Sequence, residues 1–169
     1  MKTRGTLLFL TLVLCACSRS IPAPIITPTY DGCAFVWANK DLPELSETLE
    51  KEIQALDRGS TARAVAFGEN CVYMDGHSTF GAIETDFYIT TTVTDISDLE
   101  LFGNWISQTV PVVQSVSEAA AGPHLGFIEY TFKSNDDDAF SVRVPLEKYD
   151  EKVNGLSGEN IFLLFYDQQ

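Results

Sequence analysis

Apolar residues recur with helical spacing in two parts of the chain. Asp41 and Ser97 each stand three residues before a glutamate, a capping-box pattern that marks where each helix would begin. Pro43 is tolerated in the first turn, Gly59 is typical of a helix C-terminus, and Pro111 is expected to kink or end the second helix. The apolar stripes are Leu42, Leu45, Leu49, Ile53 and Leu56 in the first helix and Leu101, Phe102, Trp105, Ile106, Val110 and Val113 in the second.

Strand-like patterns fill most of the remaining chain. Asp75-Gly76 is a strong hairpin signal, and the tripeptide at 68–70 is expected to break the strand that precedes it. The last apolar run, residues 161–166, fits either a strand or a short helix, and periodicity does not decide between them. The predicted strands are residues 33–38, 61–67, 71–74, 79–93, 125–132 and 139–146.

The order of these elements predicts the fold class. Strand, helix, strand, strand, helix, strand, strand indicates an α+β two-layer sandwich, with two helices on one face of a mostly antiparallel sheet. The split-βαβ, ferredoxin-like order is one form of that architecture. Ala62, Ala64 and Ala66 form a small-residue face, which suggests a strand lying close beneath a helix. We expect residues 31–169 to be a single domain, and this fold class carries no function by itself.

The N-terminal stretch, residues 1–17, has the pattern of an export signal. Lys2 and Arg4 precede an uncharged run at 6–14, which is too short to cross a bilayer core that needs about 20 residues. A basic start, a short apolar run and a small-residue cleavage site are typical of a leader that is removed from the mature chain.

The end of this stretch, Leu14-Cys15-Ala16-Cys17, resembles the lipobox of bacterial lipoprotein precursors. Leu14, Ala16 and Cys17 match that motif, whereas Cys15 stands where the family usually has another small or branched residue. The resemblance implies that residues 1–16 are removed and that Cys17 becomes a lipidated N-terminus carrying palmitate-type acyl chains. Ser18, rather than Asp, follows the cysteine, which in two-membrane cells implies the outer membrane. A plain secreted protein and an uncleaved anchor are the alternatives.

Residues 17–30 are interpreted as a lipid anchor followed by a proline-rich tether. Pro22, Pro24 and Pro28 favour extended geometry of at most about 3.1 Å per residue. Each buried CH₂ of an acyl chain contributes about 0.8 kcal/mol, so two or more chains hold a protein stably at a membrane. The predicted location is therefore the cell envelope, outside the cytoplasm.

Charge excludes one class of partner. The formal net charge is −13, and removing Lys2 and Arg4 with the leader would take it to −15. Such a surface repels nucleic acid and anionic headgroups. The chain carries no dinucleotide fingerprint, phosphate loop or zinc motif, and no cofactor is predicted.

Cys33 and Cys71 remain after processing and predict a disulfide. An even pair of cysteines in a small exported domain is typical of such a bond, which would stabilise the fold by about 4 kcal/mol. A two-thiolate metal site is the alternative, but His77 and His124 do not supply paired ligand spacing.

Glu84 and Asp86 alternate onto one strand face, with Cα atoms about 6.8 Å apart. Carboxylates at such a separation can act as the acid–base pair of glycoside cleavage. The alternative interpretation is that both side chains simply belong to a solvated face of the sheet. Tyr88 and Tyr73 could add a surface on which sugars or peptides stack, or could pack in the core or an interface.

Two other clusters are candidates for chemistry. Asp136, Asp137 and Asp138 offer oxygen ligands for Ca²⁺, although they lack EF-hand spacing and also suit a hairpin turn. The stretch at 155–158 fails the G-x-S-x-G pattern because Glu159 replaces its last glycine, so Ser157 is read as a helix cap.

The sequence is compatible with two functions. The first is a lipid-anchored extracytoplasmic binding or protein-interaction module that contacts an envelope protein or glycan. Its expected surface is the face carrying Glu84, Asp86 and Tyr88, or a sheet edge that accepts a partner strand. The alternative is a small envelope glycan hydrolase that uses Glu84 and Asp86 as its catalytic pair.

Overall fold

A computed structural model describes residues 32–117, 120, 122–134 and 138–166. The leader, Cys17, the tether and two of the three candidate calcium ligands, Asp136 and Asp137, lie outside these residues. The elements in chain order are β1 Ala34–Asp41, α1 Pro43–Leu56, β2 Thr61–Val72, β3 Ser78–Thr92, α2 Leu99–Val116, β4 His124–Lys133, β5 Ala139–Pro145, α3 Tyr149–Val153 and α4 Glu159–Tyr166.

The five strands form one open sheet in the order β1-β2-β3-β4-β5. Neighbouring strands are antiparallel except β3 and β4, which are parallel and are joined by α2. The predicted α+β class and mostly antiparallel sheet are confirmed. The split-βαβ form is wrong, because the parallel strands β3 and β4 are direct neighbours, whereas a split unit places another strand between them.

The helices pack on one face of the sheet and create a single core. Leu45, Leu49 and Ile53 of α1 are buried there, as the stripe predicted. The small face of β2 lies beneath α1, and the Ser46 hydroxyl accepts a hydrogen bond of 2.9 Å from the Ala64 backbone N–H. The strands contribute Ala62, Ala64, Phe87, Ile89, Ile128, Tyr130, Phe132, Val142 and Val144 to the same cluster. The molecule therefore has two layers.

The expected break at 68–70 is wrong, because β2 continues to Val72. The register against β3 shifts between Phe67 and Gly68, so a bulge absorbs the irregularity without ending the strand. A side chain at Gly68 would overlap the carbonyl oxygen of Gly81 on β3. Glycine is thus needed for close backbone approach at the bulge rather than for a turn.

The starts of the two long helices differ from the capping pattern. Helix α1 begins at Pro43 with Leu42 at the N-cap and no side-chain cap, so Asp41 does not cap it. Helix α2 is capped by Asp98, whose carboxylate accepts a 2.9 Å hydrogen bond from the Leu101 backbone N–H, one residue beyond the predicted Ser97. Helix α2 also continues past Pro111 to Val116.

The C-terminal apolar run is a helix, which resolves the open alternative. Ile161, Phe162 and Phe165 of α4 are buried, and α4 packs against α2 and β5. Phe162 lies 5.5 Å from Phe102 between ring centroids. With α3, which the sequence did not predict, the described residues hold four helices.

The Cys33–Cys71 disulfide is confirmed, with a Cα–Cα distance of 5.2 Å. It joins the residue before β1 to β2, next to the first ladder pair, Ala34 with Val72. Among the described residues, no helix is both long enough and apolar enough to cross a membrane.

Candidate functional site

The candidate site lies on the sheet face that no described helix covers. Alternation along the strands sends one set of side chains into the core and the other set to this surface. We call the second set the open face. Its main members are Trp37 of β1, Arg63 and Phe67 of β2, Glu84, Asp86 and Tyr88 of β3, Phe127 and Glu129 of β4, and Arg143 of β5.

Glu84 and Asp86 come together at a second bulge. The register between β3 and β4 shifts between Thr85 and Phe87, which places Gly126 beside both carboxylates. A Cβ added to Gly126 would overlap Asp86 Oδ1 and lie 3.2 Å from Glu84 Oε2. Because both oxygens lie within 3.2 Å of that one position, the distance between them is less than twice 3.2 Å. Inverting glycosidases separate their two carboxyl groups by ~6.5–9.5 Å, so this pair lies closer together than theirs.

Asp86 is the most electrostatically perturbed group of the open face. It is only 5% exposed, and its Oδ1 has no hydrogen-bond partner in the described structure. Burial raises the pKa of Asp86 to about 6, and the negative charge of Glu84 adds to the rise. The Phe127 backbone N–H, which donates to the carboxylate, and the charge of Arg143 act in the opposite direction on this pKa. A carboxyl group with such a pKa can carry a proton in mildly acidic surroundings.

Two arginines and two aromatic rings form a row across four strands, β2 to β5. The Arg63 guanidinium lies 4.0 Å from the centre of the Tyr88 ring, and the Arg143 guanidinium lies 4.5 Å from that of Phe127. The two rings meet edge to face at 6.0 Å. Arg143 also donates a 2.7 Å hydrogen bond to Glu129. Stacked guanidinium and aromatic groups offer a partner both apolar area and charge.

The β1 end of the open face is apolar and exposed. Trp37 stacks on Phe67 with ring centroids 5.3 Å apart, yet Trp37 remains 64% exposed. Phe35 and Val36 on the same edge strand are 69% and 54% exposed. Large apolar side chains clustered at an edge strand are typical of a surface that contacts another molecule.

The four residues that the sequence put forward for the ligand surface do not form one cluster. Glu84, Asp86 and Tyr88 lie together, whereas Tyr73 lies at the tip of the β2–β3 hairpin. Phe67 pairs with Glu84, so Tyr73 is about 20 Å further along the strand. Its ring stacks on His77 at 4.1 Å.

The remaining candidates lie elsewhere. His124, the first residue of β4, pairs in register with Glu84 and is exposed. Asp138 precedes β5, and its backbone carbonyl accepts a 3.0 Å hydrogen bond from the Ser134 N–H. Within the described ranges, no group of three or more His, Cys, Asp or Glu side chains is arranged to hold a metal ion.

Sequence reasoning did not single out Arg63, Gly126, Phe127 or Arg143. The alternation of residues 140–146 does predict that Arg143 lies on the other face of the sheet from the inward Val142 and Val144. What brings these residues to Tyr88 and Asp86 is the pairing of β3 with β4 and the bulge, and neither leaves a local signal.

Comparisons of the chain with protein-family models, with curated proteins and with solved structures found no match.

Proposed function

We propose that the chain is a lipid-anchored extracytoplasmic interaction module that binds a partner protein in the cell envelope through its open face. The observation that supports binding is the uncovered row of Arg63, Tyr88, Phe127 and Arg143, together with the exposed Trp37. Trp, Tyr and Arg dominate the binding energy of protein interfaces, and each is present on this face.

The distribution of positive charge supports the same surface. The chain has a net charge of −13, and only three arginines follow residue 31. Two of those three, Arg63 and Arg143, lie on the open face over aromatic rings. Charge-assisted contacts to a partner's carboxylates are therefore available from this face, which also carries Glu84, Asp86 and Glu129, the last of them already paired with Arg143.

The location in the cell envelope that we propose depends on acylation of Cys17. The lipobox resemblance supports acylation of that residue, and the proline-rich segment after it supports a tethered domain. Metabolic labelling with an alkyne fatty acid should mark the chain, and Cys17→Ala should abolish both the label and sedimentation with membranes. A Cys15→Ala variant is the matched control and should keep both. Label retained in Cys17→Ala would contradict the anchor.

Site-specific photo-cross-linking tests the surface. A photoreactive amino acid is placed at position 37 or 88 on the open face, or at Glu52 on the exposed side of α1 as the control. We expect the same envelope protein to be captured from positions 37 and 88 and not from position 52. Arg63→Glu should reduce that capture. Equal capture from all three positions, or none, would contradict the proposal. A product that resists protease but not glycan digestion would assign the surface to a glycan.

Glycan hydrolysis is the second candidate, and the geometry of Glu84 and Asp86 favours it over other chemistry. Their oxygens flank one point beside Gly126, and Asp86 has the raised pKa that a general acid needs. Turnover of cell-wall fragments that is lost in both Glu84→Gln and Asp86→Asn would support an enzyme. Turnover retained in both variants would remove this pair from any catalytic role.

A further inference from the structure

The outer edge of β1 is long and regular. No strand among the described residues pairs with the side of β1 that faces away from β2. The ladder between β1 and β2 runs from Ala34 to Asp41 without a register shift, so no bulge turns this edge aside. The charged residues of β1, Lys40 and Asp41, lie at its C-terminal end, and residues 34–39 contain neither a charge nor a proline. Such an edge is a template for another strand, because its N–H and C=O groups are free to pair.

The opposite edge of the sheet is protected, which makes the contrast informative. The edge strand there, β5, carries Arg143 and Pro145, and a proline cannot donate a hydrogen bond to an added strand. Helix α4 also packs against β5. In β1, by contrast, every residue except Ala38 is exposed. The fold therefore leaves one edge open and closes the other.

The exposed apolar side chains of β1 lie on both of its faces. Phe35 and Trp37 belong to the open face, and Val36, which alternates with them, lies on the opposite face of the sheet. A partner that covered the open face alone would leave Val36 in water. An added strand covers part of both faces at once, because its own side chains alternate in the same way.

The sequence of β1 is symmetric in chemical character about Val36. Residues 34–38 are an alanine, an aromatic residue, a valine, an aromatic residue and an alanine. When a second copy of β1 is laid antiparallel about a two-fold axis at Val36, each residue meets one of its own kind. The pairs are Ala34 with Ala38, Phe35 with Trp37, and Val36 with Val36 of the second copy. Lys40 then lies opposite Gly32, so this register places no like charges against each other.

We propose that the chain forms a homodimer in which two β1 strands pair antiparallel about a two-fold axis at Val36. The two five-stranded sheets join into one continuous sheet, and the open faces of both copies lie on the same side of it. The contact is isologous, so it occupies both β1 edges and closes at two copies. This inference goes beyond the proposed function and depends neither on the lipid anchor nor on an envelope partner.

The exposed aromatic area indicates the strength of the dimer. A fully buried aromatic side chain removes about 150–250 Å² from water. Phe35 and Trp37 are 69% and 64% exposed, so the four rings of two copies have roughly 400–650 Å² left to bury. Specific interfaces begin near ~1,200 Å² in total, and Val36 and the two paired backbones add to the area of the rings. We therefore expect a small interface with a dissociation constant on the order of micromolar.

Sedimentation velocity over a range of concentrations tests the dimer. The full chain is studied in an excess of detergent micelles, so that two copies share a micelle only when they bind each other. We expect a reversible equilibrium between monomer and dimer. Both copies are acidic, with a net charge of −13 each, so the dimer should tighten as salt screens their repulsion.

A pair of charge variants tests the two-fold register. Val36 is 54% exposed, so Val36→Lys and Val36→Glu should both fold, which circular dichroism checks. Each variant alone places like charges opposite each other across the axis and should raise the dissociation constant roughly fivefold. A mixture of the two variants pairs lysine with glutamate and should form a dimer more readily than either variant alone. Rescue on mixing is specific to a position that meets itself.

Leu56→Lys and Leu56→Glu are the matched controls. Leu56 is 47% exposed on α1, away from the β1 edge, and neither substitution should change the dissociation constant. Full dimer formation by both Val36 variants, or a mixture that dimerises no better than its components, would overturn the proposal. Assemblies larger than two copies would also overturn it. A chain that stays monomeric at every concentration would refute the dimer and leave the β1 edge to a strand of another protein.

Discussion

Replacing Asp86 with asparagine tests the electrostatics of the open face. Burial and the Glu84 charge raise the pKa of Asp86 from 3.8 to about 6 in the folded protein. The folded state thus holds the proton more tightly than the unfolded chain. The stability that comes from protonated Asp86 is complete below pH 4 and is lost as the pH rises through 6.

The magnitude follows from that shift of about two pKa units, at 1.36 kcal/mol for each unit. The free energy of unfolding of the unmodified chain should therefore fall by about 2.5 kcal/mol between pH 4 and pH 8 through this group alone. Asparagine keeps the size and the oxygen that accepts from the Phe127 N–H, but it does not titrate. The Asp86→Asn variant should lack this part of the pH dependence.

Urea unfolding at pH 4, 5, 6, 7 and 8 measures the effect as the difference between the unmodified chain and the variant. Glu52→Gln, on the exposed side of α1, is the control for loss of one carboxylate and should show no such change across this range. Glu84→Gln should reduce the slope, because it removes the charge that adds to the rise of the Asp86 pKa. A difference between the unmodified chain and Asp86→Asn that stays constant from pH 4 to pH 8 would refute the reasoning.

Three further predictions concern stability. The double variant Cys33→Ala, Cys71→Ala should lower the free energy of unfolding by about 4 kcal/mol, which is the loop-closure value for a sequence separation of 38. Added reductant should have no effect on the melting temperature of this variant. Gly126→Ala should cost about 1–3 kcal/mol because its Cβ would overlap Asp86 Oδ1, and an Asp86→Ala background should remove most of that cost in a double-mutant cycle. Tyr130→Phe should lower the free energy of chemical unfolding by about 1 kcal/mol, because it removes the 2.7 Å hydrogen bond between the buried Tyr130 and Thr109 hydroxyls. Thr131→Val is the control: it removes an exposed hydrogen bond to Ser141 and should cost less.

Local features of this chain were predictable where one segment carries the whole signal. The stripe of Leu45, Leu49 and Ile53 defines α1 because its periodicity needs no knowledge of the partner layer. The Asp75-Gly76 turn was found for the same reason, since Gly76 adopts a positive φ of 87° that a hairpin tip requires. The Cys33–Cys71 bond followed from counting cysteines.

The candidate site was only half predictable because it depends on pairing between distant strands. Glu84, Asp86 and Tyr88 share a face by alternation within one strand. Phe127 reaches Tyr88 only because β4 pairs parallel to β3 and carries the extra residue of a bulge. A shift of one residue in that register would place the Phe127 ring on the core side of the sheet. The residues near position 127 carry no pattern that predicts which register forms.

The position of the disulfide also decides how the fold responds to mechanical load. If the chain is held at a membrane through its N-terminal end, tension enters the domain at Cys33, before the first ladder pair of the edge strand. Without the covalent link, that force would unzip β1 from β2 one pair at a time, beginning at Ala34 and Val72. With it, the force passes into β2, a strand paired on both sides, where several hydrogen bonds must yield together.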